Sequence, residues 1–147
     1  MDKDTKIYIA GHRGLIGSAF IRILGNNKYN KIITATRDEL ELTDPQNVNN
    51  FFSNHKPEIV ILAAGKVGGI INNRDYPADF IQENLSIQLN VFSAAQKYEV
   101  KKLIFFGSSC MYPQETTQPM KENQLCTGHP EPTSVAYATA KYAGVQM

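Results

Sequence analysis

The chain has 147 residues, 42% of them hydrophobic and 20% charged, and its 15 basic and 14 acidic side chains leave a formal net charge of +1. Such a composition suits one domain with a real core and excludes a disordered chain. The balanced charge gives no long-range attraction for nucleic acid or an anionic membrane, and no apolar run approaches bilayer length. The opening "MDKDTKIYIAGHRG" shows no secretory pattern. Two cysteines, Cys110 and Cys126, form no Cys-x-x-Cys pair, as expected of reduced thiols in a cytoplasmic protein. His12, His55 and His129 share no metal-ligand spacing, so no metal site is expected.

In chain order, "KIYIA" (6–10) reads as the first strand. The segment "LIGSAFIRILG" then places Leu15, Ile16, Ala19, Phe20, Ile23 and Leu24 on one helical stripe, with Gly25 as its stop. "KIITAT" (31–36) reads as a second strand and "LEL" (40–42) as a further edge strand. In "TDPQNVNNFFSNHKP", Asp44 is the expected N-cap, Pro45 the first helical residue, and Val48, Phe51 and Phe52 the inward face. "EIVILAA" (58–64) and "KLIFFG" (102–107) are two more strands, with a long helix from about Pro77 to Tyr98 between them. The stretch 111–133 holds four of the seven prolines and reads as an ordered loop. "SVAYATAKYAGVQM" then regains helical character.

The strands are apolar at successive positions instead of alternating, so both faces should be covered. Strands alternating with helices are βαβ units. The expected fold is therefore α/β, a Rossmann-like doubly wound parallel sheet with helices on both faces.

Chemistry enters at two places. Gly11, Gly14 and Gly17 stand directly after the first strand and at the start of a helix, whose free N–H groups can receive a pyrophosphate. A plain glycine-rich turn is the competing reading. Arg37 follows the second strand about 20 residues past the last glycine, where a ribose reader is expected, and an arginine there accommodates a 2′-phosphate. This favours NADP, with Arg13 as a second cationic contact, while Asp38 keeps NAD as the alternative. Asp44 reads first as a helix cap and second as a contact to the adenine amine.

The second place is the end of the strand "LIFFG", where Ser108, Ser109 and Cys110 follow. Tyr137 and Lys141, four apart in "YATAK", share one face of a helix. A nearby ammonium favours the phenolate, which suits a tyrosine to exchange protons with a carbonyl or alcohol oxygen.

The glycine turn, the Ser-bearing strand end and the Tyr/Lys pair together resemble the extended short-chain dehydrogenase/reductase family, which acts on nucleotide sugars. "GHRGLIGSA", "TRDEL", "AAGKVGGI", "YPADFIQEN", "GSSCMYP", "QPMKE" and "EPTSVAYATAK" carry the resemblance over essentially the whole chain, in order. They are most similar to the branch that epimerises GDP-4-keto-6-deoxy-D-mannose at C3 and C5 and reduces it at C4. The resemblance implies catalytic roles for Ser108, Tyr137 and Lys141, and an epimerisation base in Cys110. It implies cofactor contacts at Gly11, Arg13, Gly14, Leu15, Ile16, Gly17, Arg37, Asp44, Ala63, Ala64, Tyr137 and Lys141. It further implies NADP as cofactor, a GDP-sugar substrate, a homodimer, and, at 1–147, a truncated NADP-binding domain lacking the family's last strands and sugar-nucleotide domain, with little activity of its own. The partner acid for epimerisation is a family histidine further along the chain, which none of His12, His55 and His129 matches. Asn84 resembles a family position that supports the long helix, with a solvent-facing polar residue as the competing reading. Two other functions are weighed: a nucleotide-sugar epimerase or dehydratase of another kind, against which Cys110 speaks, and a non-catalytic nucleotide-binding module.

Overall fold

In the computed structural model, which describes residues 2–147, four apolar runs form one sheet: β1 (Ile7–Ala10), β2 (Ile32–Ile33), β3 (Ile59–Leu62) and β4 (Lys102–Phe105). All three pairings are parallel and the order is β2-β1-β3-β4. The unbroken apolar character of these runs has a direct cause in the packing. Tyr8, Ala10, Val60 and Leu62 point into one hydrophobic cluster, and Ile7, Ile9 and Ile61 into the other. The first cluster receives Val48 and Phe52 from helix α2 (Pro45–His55) and Ile87, Val91 and Ala94 from helix α4 (Pro77–Lys97). The second receives Phe20, Ile21 and Leu24 from helix α1 (Leu15–Asn26). A strand covered on both faces has no polar side to show. The Rossmann-like fold expected from the sequence is the fold observed.

Helix α2 begins as its sequence dictates. Asp44 Oδ1 accepts from the backbone N–H groups of Gln46 (2.8 Å) and Asn47 (3.1 Å), and Pro45 opens the helix. Three local expectations are corrected. Gly25 lies inside α1, which ends beyond it with a left-handed Lys28 at φ 59°. Leu15 and Ile23 are exposed, and the inward face of α1 is Gly17, Phe20, Ile21 and Leu24. No strand forms at 40–42. Its backbone is bound up in turns, Leu40 N–H donating to Thr36 O and Asp44 N–H to Glu41 O, while Leu40 and Leu42 drop their side chains into the core. Asn90 Nδ2 holds this turn by donating to Leu42 O at 2.9 Å.

The residues fall into two compact units, Met1–Gly65 with Ser86–Phe106, and Lys66–Leu85 with Gly107–Met147. The first holds the whole sheet. The second contains helix α3 (Ile70–Asp75), the first turns of α4 and helix α5 (Val135–Gln146). It also contains the loop after β4, which is ordered by 3-10 turns at Ser109–Met111, Glu122–Gln124 and Pro132–Ser134. Among the described residues no helix is long and apolar enough to cross a membrane.

Candidate active site

In the first unit the chain reverses direction of growth between β1 and β3, and the glycine turn lies there, at the carboxyl end of β1. Gly11 has φ +81°, which L side chains rarely adopt. A Cβ on it would stand 2.7 Å from Ala64 N and 2.8 Å from Ala63 C, so the turn lies directly against the two alanines that end "VILAA". A Cβ on Gly17 would collide with the Gly11 carbonyl oxygen. Glycine is thus required twice to bring turn and helix together. The N-cap of α1 is Gly14, no side chain caps it, and Leu15 and Ile16 in the first turn are exposed. The turn, the uncapped helix and the two alanines form a cradle that fits a dinucleotide pyrophosphate.

The segment after β2 brings both sequence-predicted arginines to one neighbourhood. Thr36 donates to Glu39 Oε2 through its N–H (2.7 Å) and its hydroxyl (2.9 Å). These bonds hold the Glu39 carboxyl below its ordinary value against the opposing effect of burial, and the charges of Arg13 and His12 add to the lowering. Arg37 Nε donates to Glu41 Oε2 at 2.7 Å. With side-chain exposures of 69% and 35%, that ion pair is worth about 0–1 kcal/mol. Sequence reasoning missed Glu39 and Glu41; the acidic run "RDELEL" is the signal for them. Asp44 Oδ1 is committed to the α2 cap.

The second unit gathers Ser108, Cys110, Tyr137 and Lys141. Ser108 caps the 3-10 turn Ser109–Met111, its Oγ accepting from Cys110 N–H at 3.2 Å. The turn thereby presents Cys110, half-buried with a free thiol. Tyr137 and Lys141 share one face of α5, Lys141 Nζ lying 5.9 Å from the Tyr137 ring centroid. Lys141 is 6% exposed, and burial pushes its pKa down. Burial also pushes the Tyr137 phenol up; a Ser108 hydrogen bond works against this, and the charge of Cys110 adds to it. The sign is opposite to that expected from Lys141 alone. In this state Tyr137 keeps its proton. Among the described residues no group of His, Cys, Asp and Glu could hold a metal ion.

A parallel α/β sheet with a glycine cradle at its switch point defines a dinucleotide-binding fold, and the Ser108, Tyr137 and Lys141 cluster is of the kind that serves carbonyl chemistry. The chain belongs to the NAD dependent epimerase/dehydratase family, whose model matches residues 7–147. It is 51% identical over 147 residues to an Arabidopsis thaliana protein named putative GDP-L-fucose synthase 2, covering 100% of this chain and 45% of that protein. The GDP-L-fucose synthase of Escherichia coli K12 is 47% identical over 142 residues, 97% of this chain and 44% of the relative. The chain therefore spans about half the length of the curated relatives it matches. Among solved structures, a GDP-mannoheptose C4 reductase from Campylobacter jejuni with NADP bound matches with a TM-score of 0.97 at 43% identity, over 100% of this chain and 46% of that one.

Proposed function

We propose that this chain forms the cofactor-binding and proton-handling part of an NADPH-dependent 3,5-epimerase and 4-reductase that converts GDP-4-keto-6-deoxy-D-mannose to GDP-L-fucose. The observation that carries the reading is the cluster in the second unit, where Ser108 and Cys110 both act on the acidity of the Tyr137 phenol and Lys141 Nζ lies 5.9 Å from its ring centroid. The names of the relatives at 51% and 47% identity support the substrate. Gly11, Gly14, Gly17, Leu15, Ile16, Ala63 and Ala64 hold the dinucleotide, and Arg13 and Arg37 take the 2′-phosphate.

Bound NADPH supplies hydride to the keto carbon. Tyr137, which keeps its proton in the resting state, gives it to the ketone oxygen. The Ser108 hydroxyl donates a hydrogen bond to the same oxygen, and the Lys141 charge steadies the phenolate left behind. In the epimerisation steps Cys110, as thiolate, removes the proton from the carbon beside the ketone. The electron pair passes to the ketone oxygen as an enolate, and an acid supplied by the remaining length of the family returns a proton to the opposite face. A homodimer would cover Leu89, which is 56% exposed on α4. A cytoplasmic location rests on the two unpaired cysteines.

The relative named as a C4 reductase favours a second reading, reduction of a GDP-sugar without epimerisation. Cys110→Ser in the complete protein separates the two. Deuterium uptake from D2O at C3 and C5 should fall by about 10²-fold or more while reduction persists. Exchange that continues unchanged overturns the role of Cys110.

A further inference from the structure

The loop 66–69 has no regular secondary structure, yet it is tied down from two sides by buried asparagines. Asn84, 1% exposed on α4, accepts from Lys66 N–H at 3.1 Å and donates to Lys66 O at 2.9 Å and Phe80 O at 2.8 Å. Asn73, 7% exposed on α3, donates to Gly68 O at 3.0 Å and Gly69 O at 3.1 Å. The Lys66 side chain adds a third tie, its Nζ standing 3.2 Å from Glu83 Oε2, 3.7 Å from Asp79 Oδ2 and 5.8 Å from the Phe80 ring centroid. The solvent-facing reading of Asn84 is thereby excluded. The loop backbone is thus held at both polar groups of Lys66 and at the carbonyls of Gly68 and Gly69.

What rests on that loop is Phe80. Its ring is 2% exposed, and a Cβ at position 68 would stand 2.8 Å from its Cζ and 3.4 Å from its Cε1. On the α5 side Phe80 meets Tyr137 edge to face, centroids 6.5 Å apart at 84°. A ring buried to that degree cannot swing aside into water, so pressure on its tip passes to the next ring. We propose that the loop 66–69 positions Tyr137 through the ring of Phe80, with Gly68 leaving the space that the ring tip needs. Gly68, Phe80 and Asn84 are positioning residues, acting on the reaction only through Tyr137. The importance of that placement rests on the proposed function; the placement does not.

The test reads Tyr137 itself, in this chain, without substrate or cofactor. Tyrosines are labelled with ¹³C at Cζ and the Tyr137 resonance is assigned with Tyr137→Phe. The groups facing it are Ser108, Cys110, Lys141 and Phe80, of which only the last is changed. Phe80→Leu should move the resonance and lower its titration midpoint, because water gains access to a phenol that burial now protects. Gly68→Ala should move the resonance in the native background and leave it in place in the Phe80→Leu background, where no ring tip is struck. Equal effects of Gly68→Ala in both backgrounds, or none in either with normal melting, overturn the proposal. Should Gly68→Ala fail to fold, Phe80→Leu decides alone, an unmoved resonance and midpoint being the adverse result. Failure of the proposed activity would leave these readings untouched.

Discussion

At the scale of the single residue, burial outweighs charge in setting the acidity of Tyr8 and Tyr137. Tyr8 lies 1% exposed in β1 with the Phe51 ring 4.6 Å away, and its pKa is pushed far above the ordinary 10.0 by burial. An acid whose folded pKa is raised contributes stability that is intact below its unfolded value and lost as pH climbs toward the folded one. Stability should therefore fall with pH above 10, and Tyr8→Phe should flatten that fall while Tyr137, also raised, keeps part of it. Urea titrations from neutral to strongly alkaline pH measure the slope; equal slopes in both proteins refute the assignment. Asp44 offers a second check at this scale. Its two cap bonds imply that Asp44→Ala costs about 1 kcal/mol in the same titration at neutral pH. Asn84 was legible as a supporting position, but its partners and those of Asn73 were not, since "INNRDYPADFIQEN" does not show which backbone groups lie opposite its side chains.

At the scale of elements, the clearest signals in the sequence were those produced by local physics. The Asp-Pro start of α2 caps its own neighbours, and the unbroken apolar runs report strands buried on both faces. Where neighbours in space decide, the reading went astray. Leu40 and Leu42 look like a strand because both are buried, but a turn anchored by Asn90 buries them equally well. Gly25 looks like a helix stop, yet the left-handed residue that follows the helix is Lys28. Helix α2 adheres to the sheet through Phe52, which is 0% exposed. Phe52→Ala should cost about 3–5 kcal/mol, enough to unfold much of a marginally stable chain, and thermal melting measures it. The sheet makes a kinetic prediction as well. β1 and β3 each have two hydrogen-bonded neighbours and β4 has one among the described strands. Amides of β1 and β3 should be the slowest to exchange with D2O, and β4 amides distinctly faster.

At the scale of the whole molecule, the glycine turn with Arg13 and Arg37 lies in one unit, and Ser108, Cys110, Tyr137 and Lys141 lie in the other. Ligand affinity and stability are linked, so the cradle can be tested by melting alone. NADPH at about 100 times its Kd should add ~2.7 kcal/mol, NADH markedly less at the same concentration, and Arg37→Ala should bring the two together. Calorimetric titration gives the affinities directly; equal binding of both cofactors by the native chain would return the ribose reading to Asp38. By itself the amino-acid sequence determined the α/β class, the glycine turn, the α2 cap and the Tyr/Lys face, because each depends on residues only a few positions apart. Only the tertiary structure decided that Gly11 lies on Ala63 and Ala64, that the charge of Arg13 reaches Glu39, and that burial raises the Tyr137 pKa. These are contacts between segments far apart in the chain, and desolvation, which sets their energies, belongs to the packed neighbourhood of a residue and not to its identity.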